Sequence, residues 1–315
     1  MIEILGVVLP VFLLVGAGFA AVRIGGFPQS AVDGLMGFAV RFAVPTLLFG
    51  AMVRLDLARA FDPLFLLSFY AGAAVCFVVG LRVARDRFGR RPGEAVVVGF
   101  SAMFSNTVLL GLPILTRAYG EAELDPAFSL IALHAPFNYV VGIVVMEISR
   151  RDGAAPVETA RKAATAIFSN AIAIGIGAGL AVNLGGVGLP GFVLGAVDMM
   201  SDAALPAALF GLGGALTRYR LRSDLREAGL IAGLATLLHP LIAFVLSAVV
   251  FGLEPEFVRA AVVLAAMPTG MNGYVFAAQY RRAEGAAASG VLLGTALSVL
   301  TASFWLWALG LAVPS

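Results

Sequence analysis

Two short stretches hold the residues best equipped for chemistry: "NTVLLGLP" from Asn106 to Pro113, and "MPTGMNGYV" from Met267 to Val275. Each sets an asparagine beside glycine and proline inside an otherwise apolar run. Proline removes a backbone donor and glycine relaxes the chain, so a helix can break there and leave N–H and C=O groups without helical partners. A helix that restarts after such a break points unpaired N–H groups and the positive end of its dipole at the gap, a ready site for an anion. The residues expected to build that site are Asn106, Thr107, Gly111 and Pro113 from the first stretch and Pro268, Gly270 and Asn272 from the second. For either stretch alone the competing reading is an ordinary kink whose amide glues helices together.

Other polar groups in apolar surroundings are few. His134 and His239 are the only histidines and show no metal-ligand spacing to each other or to Cys76, the single cysteine. They read as packing groups or, for His134 with Asn138 one turn later, as a proton-coupling site, because imidazole titrates near neutral pH. Arg41 and Asp202 each precede a proline, Pro45 or Pro206, by four residues. A charge inside a bilayer costs roughly 2.5 to 3.5 kcal/mol on the insertion scale, so the two are expected to pair across a scaffold. The rival is Arg41 acting directly on a carboxylate. No metal motif, G-x-S-x-G or pair of carboxylates near a histidine occurs, so no enzyme, metal or cofactor is implied.

These residues must be positioned by membrane-spanning elements. With 60% hydrophobic and 13% charged residues and a mean hydropathy of +0.97, the 315-residue chain is too apolar for a soluble domain. Its net charge of +2 reports loop bias and implies no nucleic acid. The run from Ile4 to Val22 follows Glu3 and has no basic segment before it, so it reads as an uncleaved first helix.

Cutting the chain at its charges gives apolar segments of the ~20 residues a bilayer requires: 4–22, 31–53, 63–81, 94–116, 126–147, 163–184, 192–217, 227–251, 259–280 and 286–311. Odd-numbered loops between these ten helices hold 16 of the 21 lysines and arginines, even-numbered loops hold 4, and Arg41 is the remaining one. Odd loops are therefore expected in the cytoplasm and both termini outside the cell membrane. Trp305 and Trp307 are expected in an aromatic belt at the outer interface.

The chain also repeats itself. "GAGFA" at Gly16–Ala20 returns as "GAGLA" at Gly177–Ala181, and "PTLLFG" at Pro45–Gly50 as "PAALFG" at Pro206–Gly211, both at an offset of 161 that also carries Tyr119 onto Tyr280. Five helices per copy force the second copy to insert upside down. The expected fold is an all-α polytopic membrane protein of two inverted five-helix repeats, 1–149 and 163–315, joined by a short cytoplasmic loop at 150–162. In such carriers the site lies at mid-depth where broken helices of the two halves meet. GxxxG-like spacing from Gly175 to Gly179 fits close packing within one chain or a homodimer contact.

"NTVLLGLP" and "MPTGMNGYVFAAQY" (Met267 to Tyr280) resemble the two crossover segments of the auxin efflux carrier family, which includes the plant PIN carriers and bacterial carriers of malonate and other small carboxylates. The resemblance spans nearly the whole chain and is strongest in these segments. It implies crossed helices four and nine in a mobile transport domain made of helices three to five and eight to ten. Helices one, two, six and seven would form a scaffold, and the family's crossover asparagine, a binder of the substrate carboxylate, falls on Asn106. Pro268 matches the second crossover proline. Ser105 stands where plant members carry proline, Ala171 follows Asn170 where proline is common, and the long cytoplasmic loop of many plant members is missing. The implied function is elevator-type transport of small organic anions. A sodium-dependent symporter of the bile-acid type is the alternative, and a channel, which would show a continuous polar stripe, is a weaker one.

Overall fold

The computed structural model describes residues 2–121, 124–150, 156–219 and 224–310. Its elements are α1 (Ile2–Arg23), α2 (Gln29–Phe38), α3 (Val44–Arg54), the short α4 (Leu57–Ala60), α5 (Pro63–Asp86), α6 (Pro92–Met103), α7 (Leu112–Tyr119) and α8 (Asp125–Arg150). There follow α9 (Pro156–Phe168), α10 (Ala171–Leu184), α11 (Gly191–Leu216), α12 (Leu225–Gly233), α13 (His239–Phe244), α14 (Pro255–Ala265), α15 (Met271–Tyr280) and α16 (Glu284–Ala308). Among the described residues, seven helical rods are long and apolar enough to cross a membrane, including the composite rods Gln29–Arg54 and Leu225–Val250. The protein is a polytopic helical membrane protein.

Prolines accompany three of the widened turns in the rods; a fourth, Val245–Val250, has none just after it. Widened π-helical turns at Ala39–Ala43, Thr107–Gly111 and Leu234–Leu238 end two residues before Pro45, Pro113 and Pro240 respectively. Proline offers no N–H to the carbonyl four residues back and its ring collides with that carbonyl; the widened turn relieves both problems without ending the helix.

The segment expected as one helix over 163–184 is two. α9 and α10 meet at an angle of 76°. The Asn170 side chain accepts from the Ile172 amide at 2.9 Å, capping α10 and restarting the helix there. At ~1.5 Å per residue the 14 residues of α10 extend only ~21 Å. The expected aromatic belt also divides. Trp307 is exposed, but Trp305 is buried and its indole N–H donates to the Thr236 carbonyl at 3.0 Å.

Glycines let four helices meet backbone to backbone. A Cβ added to Gly18 on α1 would lie 1.9 Å from the Phe210 carbonyl oxygen on α11, and one added to Gly179 on α10 would lie 2.6 Å from the Phe49 carbonyl oxygen on α3. Adding 161 to Gly18 and Phe49 gives Gly179 and Phe210, so one contact is the image of the other in the repeat register. Gly175 likewise abuts the Pro45 carbonyl, at 2.4 Å from its would-be Cβ. The Gly175–Gly179 face is thus spent on packing within the chain.

Candidate functional site

The two broken stretches meet. α6 ends at Met103, and Phe104 (ψ 86°) and Asn106 (ψ 61°) leave helical conformation. On the other side α14 ends at Ala265, and the chain passes through Pro268 and Thr269 before α15 begins at Met271. The two gaps run antiparallel. The Asn106 amide donates to the Pro268 carbonyl at 2.8 Å, the Gly270 amide donates to the Phe104 carbonyl at 3.0 Å, and Ser105 faces Thr269 in a single β-bridge. Backbone groups released by each break are thereby partly satisfied by the other, the condition for non-helical backbone to persist at membrane depth.

Glycine is required at the crossing by contact. A Cβ on Gly111 would lie 2.6 Å from the Leu264 side chain, and one on Gly273 would lie 2.9 Å from Ser101 Oγ. The Asn106 carbonyl accepts from both the Leu110 and Gly111 amides, at 3.3 and 3.1 Å, where the chain re-enters helix through the π turn.

Of the seven residues expected at the site, Thr107, Gly111, Pro113, Pro268 and Gly270 are buried; they shape the crossing. Asn106 and Asn272 are half-buried. The Asn272 side-chain oxygen accepts from the Tyr139 hydroxyl at 3.4 Å. The Asn106 amide has no side-chain hydrogen bond among the described residues, so its donors and acceptor are available.

Both histidines converge on the crossing, a meeting that their 105-residue separation conceals. His134 lies on α8 with its Nε2–H donating to the Ser105 carbonyl at 3.0 Å, and Asn138 Nδ2 stands 3.2 Å from its Nδ1. His239 opens α13; its Nε2–H donates to the Phe69 carbonyl at 3.1 Å and its Nδ1 accepts from the Ser105 hydroxyl at 3.3 Å. Each ring is 3% exposed or less, and Phe69 packs against both, with ring centroids at 5.6 Å from His134 and 4.5 Å from His239. A carbonyl at Nε2 leaves that nitrogen as donor and Nδ1 as acceptor, so the surroundings select one neutral tautomer for both. Ser105, which meets both rings at the crossing, is a residue that pattern reading left out of the candidate site. Its signal was the departure from the proline that plant members of the resembled family carry there.

Arg41 and Asp202 are not brought together. Both are exposed and neither makes an ion pair among the described residues. The cation that pairs with α11 is Arg54 of α3, at 2.8 Å from Asp198. Asp198 precedes Asp202 by one helical turn, but Arg54 lies 13 residues from Arg41, so the expected pair is absent and a different one joins α3 to α11.

A cavity of about 810 Å³ opens between α1, α3, α7, α8 and α11. It reaches the crossing at Leu112 and Pro113 and is bordered by Asp202 and by the Arg54–Asp198 pair. Arg117 on α7 also lines it and reaches across to α1, donating from Nε to the Val7 carbonyl at 3.2 Å and from Nη2 to the Gly6 carbonyl at 3.3 Å. Of the expected site residues, Pro113 and Asp202 face this cavity.

Crossed helix breaks beside a polar cavity are what a membrane carrier needs, and comparison with known proteins points the same way. Residues 3–306 match the family described as "Membrane transport protein". A Rhizobium meliloti protein named "Putative malonate transporter" is 28% identical over 305 residues, covering 96% of this chain and 94% of its own. An "Uncharacterized transporter" of Methanothermobacter thermautotrophicus is 25% identical over 307 residues, covering 95% and 96%. The chain belongs to this membrane transport protein family, the auxin efflux carriers that its crossover segments resemble, and is a membrane transporter.

Proposed function

We propose that this protein is a secondary transporter of small organic anions, dicarboxylates such as malonate among them, working by elevator-type alternating access in the cell membrane. The observation that carries the reading is the Asn106 side chain: a half-buried amide with no hydrogen-bond partner among the described residues, held at a gap between two helices whose backbones are pinned to each other. A carboxylate there would accept from the amide and lie near the positive starts of α7 and α15. The name of the Rhizobium relative supports malonate as the first substrate to try.

In this reading the described helices make ten crossings in two inverted repeats, with α6–α7 and α14–α15 each counting as one broken crossing. The reciprocal contacts of Gly18 with Phe210 and Gly179 with Phe49 support that symmetry. α1, α2–α3, α10 and α11 form the scaffold, and the elements carrying the crossing move past it. Excess basic charge in odd-numbered loops puts both termini outside. The cavity, bordered by the connections after α3 and α7, is then the outward vestibule.

The test is thermal stabilisation of purified protein by a panel of mono- and dicarboxylates including malonate and an indole acid, with and without sodium. A saturable shift that disappears in Asn106→Ala supports the reading. No shift with any anion overturns the carboxylate assignment, and a shift that requires sodium replaces it with a sodium-coupled symporter.

A further inference from the structure

We propose that Arg117 is a carboxylate-binding residue of the cavity, held ready by α1: its guanidinium exchanges the carbonyls of Gly6 and Val7 for an entering carboxylate and so unties α7 from α1. The inference rests on the organic-anion reading above, in which α7 moves and α1 does not, and adds a first station for the anion on its way to the crossing.

Pro10 lies inside α1. Proline has no N–H, so the carbonyl four residues before it, that of Gly6, receives no helical hydrogen bond. Arg117 supplies the missing donor from another helix: its Nη2 donates to the Gly6 carbonyl at 3.3 Å and its Nε to the Val7 carbonyl at 3.2 Å. An arginine near the end of a spanning helix often snorkels to the interface; this one crosses to a defect in its neighbour instead. Arg117 is the sixth of the eight residues of α7, one turn after Pro113, and both line the cavity together with Pro10.

Both bonds are replaceable. They are longer than the ~2.7–2.9 Å of a hydrogen bond between ions, and a carbonyl carries a partial charge where a carboxylate carries a full one. Nε and Nη2 form one edge of the guanidinium, the edge that takes a carboxylate side-on through two parallel bonds, so carbonyls and anion compete for the same donors. The rest of the wall offers the anion no open cation. Arg54 is matched by Asp198 at 2.8 Å, while Asp202, Glu121 and Asp125 are carboxylates that repel it. Among the described residues no carboxylate lies within ion-pair distance of Arg117, Glu121 one turn later included. When the anion takes the fork, the exposed Gly6 is left to water and Arg117 no longer ties α7 to α1.

The experiment is a double-variant cycle of malonate binding to the purified full chain, read by calorimetry. Arg117→Gln should weaken binding roughly ten- to a hundredfold. Pro10→Ala returns a helical donor to the Gly6 carbonyl, which then competes less for Arg117, so malonate should bind about two- to fivefold more tightly. In the Arg117→Gln background the same Pro10→Ala change should leave affinity unaltered, since no guanidinium remains to be released. Melting of each variant without ligand reports folding. If Arg117→Gln does not fold, Arg117→Lys takes its place in the cycle, because it keeps the charge but not the fork and should also weaken binding. Unchanged affinity in the Arg117 variant overturns the proposal. So does a Pro10→Ala effect that is absent, opposite in sign, or equal with and without Arg117. Either result leaves the carboxylate reading intact, which loss of binding in Asn106→Ala tests separately. No binding of malonate or of any other carboxylate by the unaltered protein overturns both.

Discussion

The Asn106 amide donates to the Pro268 carbonyl at 2.8 Å across 162 residues of sequence. This bond, with its partner from Gly270 to Phe104, makes two helix interruptions into one structure. Neither gap satisfies all of its own backbone, and each supplies one donor and one acceptor to the two bonds between them. The backbone of Asn106 is thus committed to the fold while its side chain makes no hydrogen bond among the described residues.

That division of labour makes Asn106→Ala a clean variant. Its backbone bond to Pro268 survives, so expression and melting temperature should change little. Loss of a hydrogen bond to a charged ligand is worth about 1.5 to 3 kcal/mol, so carboxylate affinity measured by calorimetry should fall roughly ten- to a hundredfold. Unchanged affinity would remove Asn106 from the site.

Gly18→Ala and Gly179→Ala should both destabilise the protein, because each added methyl group meets a backbone carbonyl that cannot rotate away. Overpacking of this kind costs about 1 to 3 kcal/mol. Gly16→Ala and Gly177→Ala occupy open positions in the same repeat register and should melt as the parent does. Equal melting temperatures for all four would show that the α1–α11 and α3–α10 contacts are looser than described.

The two scaffold ion-pair hypotheses separate by charge exchange. Arg54→Asp combined with Asp198→Arg should recover the yield of folded protein lost in either single variant, whereas Arg41→Asp with Asp202→Arg should show no such recovery. Both members of the Arg54–Asp198 pair are about half exposed, 47% and 55%, so the single losses should be small, up to about 1 kcal/mol. Recovery in the Arg41–Asp202 exchange would contradict the geometry.

Ser105→Ala removes the hydroxyl that donates to His239 Nδ1 and leaves the backbone carbonyl that accepts from His134. The expected cost is about 1 kcal/mol, seen as a lower melting temperature, with His239→Gln in the same background adding less than it does alone because the two share one contact. Strict additivity would show that the serine and His239 do not interact.

Composition by itself determined the solvent: so apolar a chain can bury its side chains only with help from lipid. Local chemistry determined the breaks, since proline and glycine act on the backbone of the helix that contains them whatever surrounds it. The offset of 161 relates Gly18 to Gly179 and Phe49 to Phe210, and each glycine meets a phenylalanine carbonyl of the other pair. What packs on what was another matter. Because lipid and protein interior are equally apolar, hydrophobic pattern does not reveal which face of a spanning helix meets protein, and only the tertiary structure decided the outcome. It gave Asp198 to Arg54 and left Asp202 facing the cavity, buried Trp305 while Trp307 stayed exposed, and brought His134 and His239 to one serine. The break at Asn170 belongs to the same class. An asparagine can cap a new helix or ride along a continuous one, and the structure shows this one capping α10 at a 76° turn from α9.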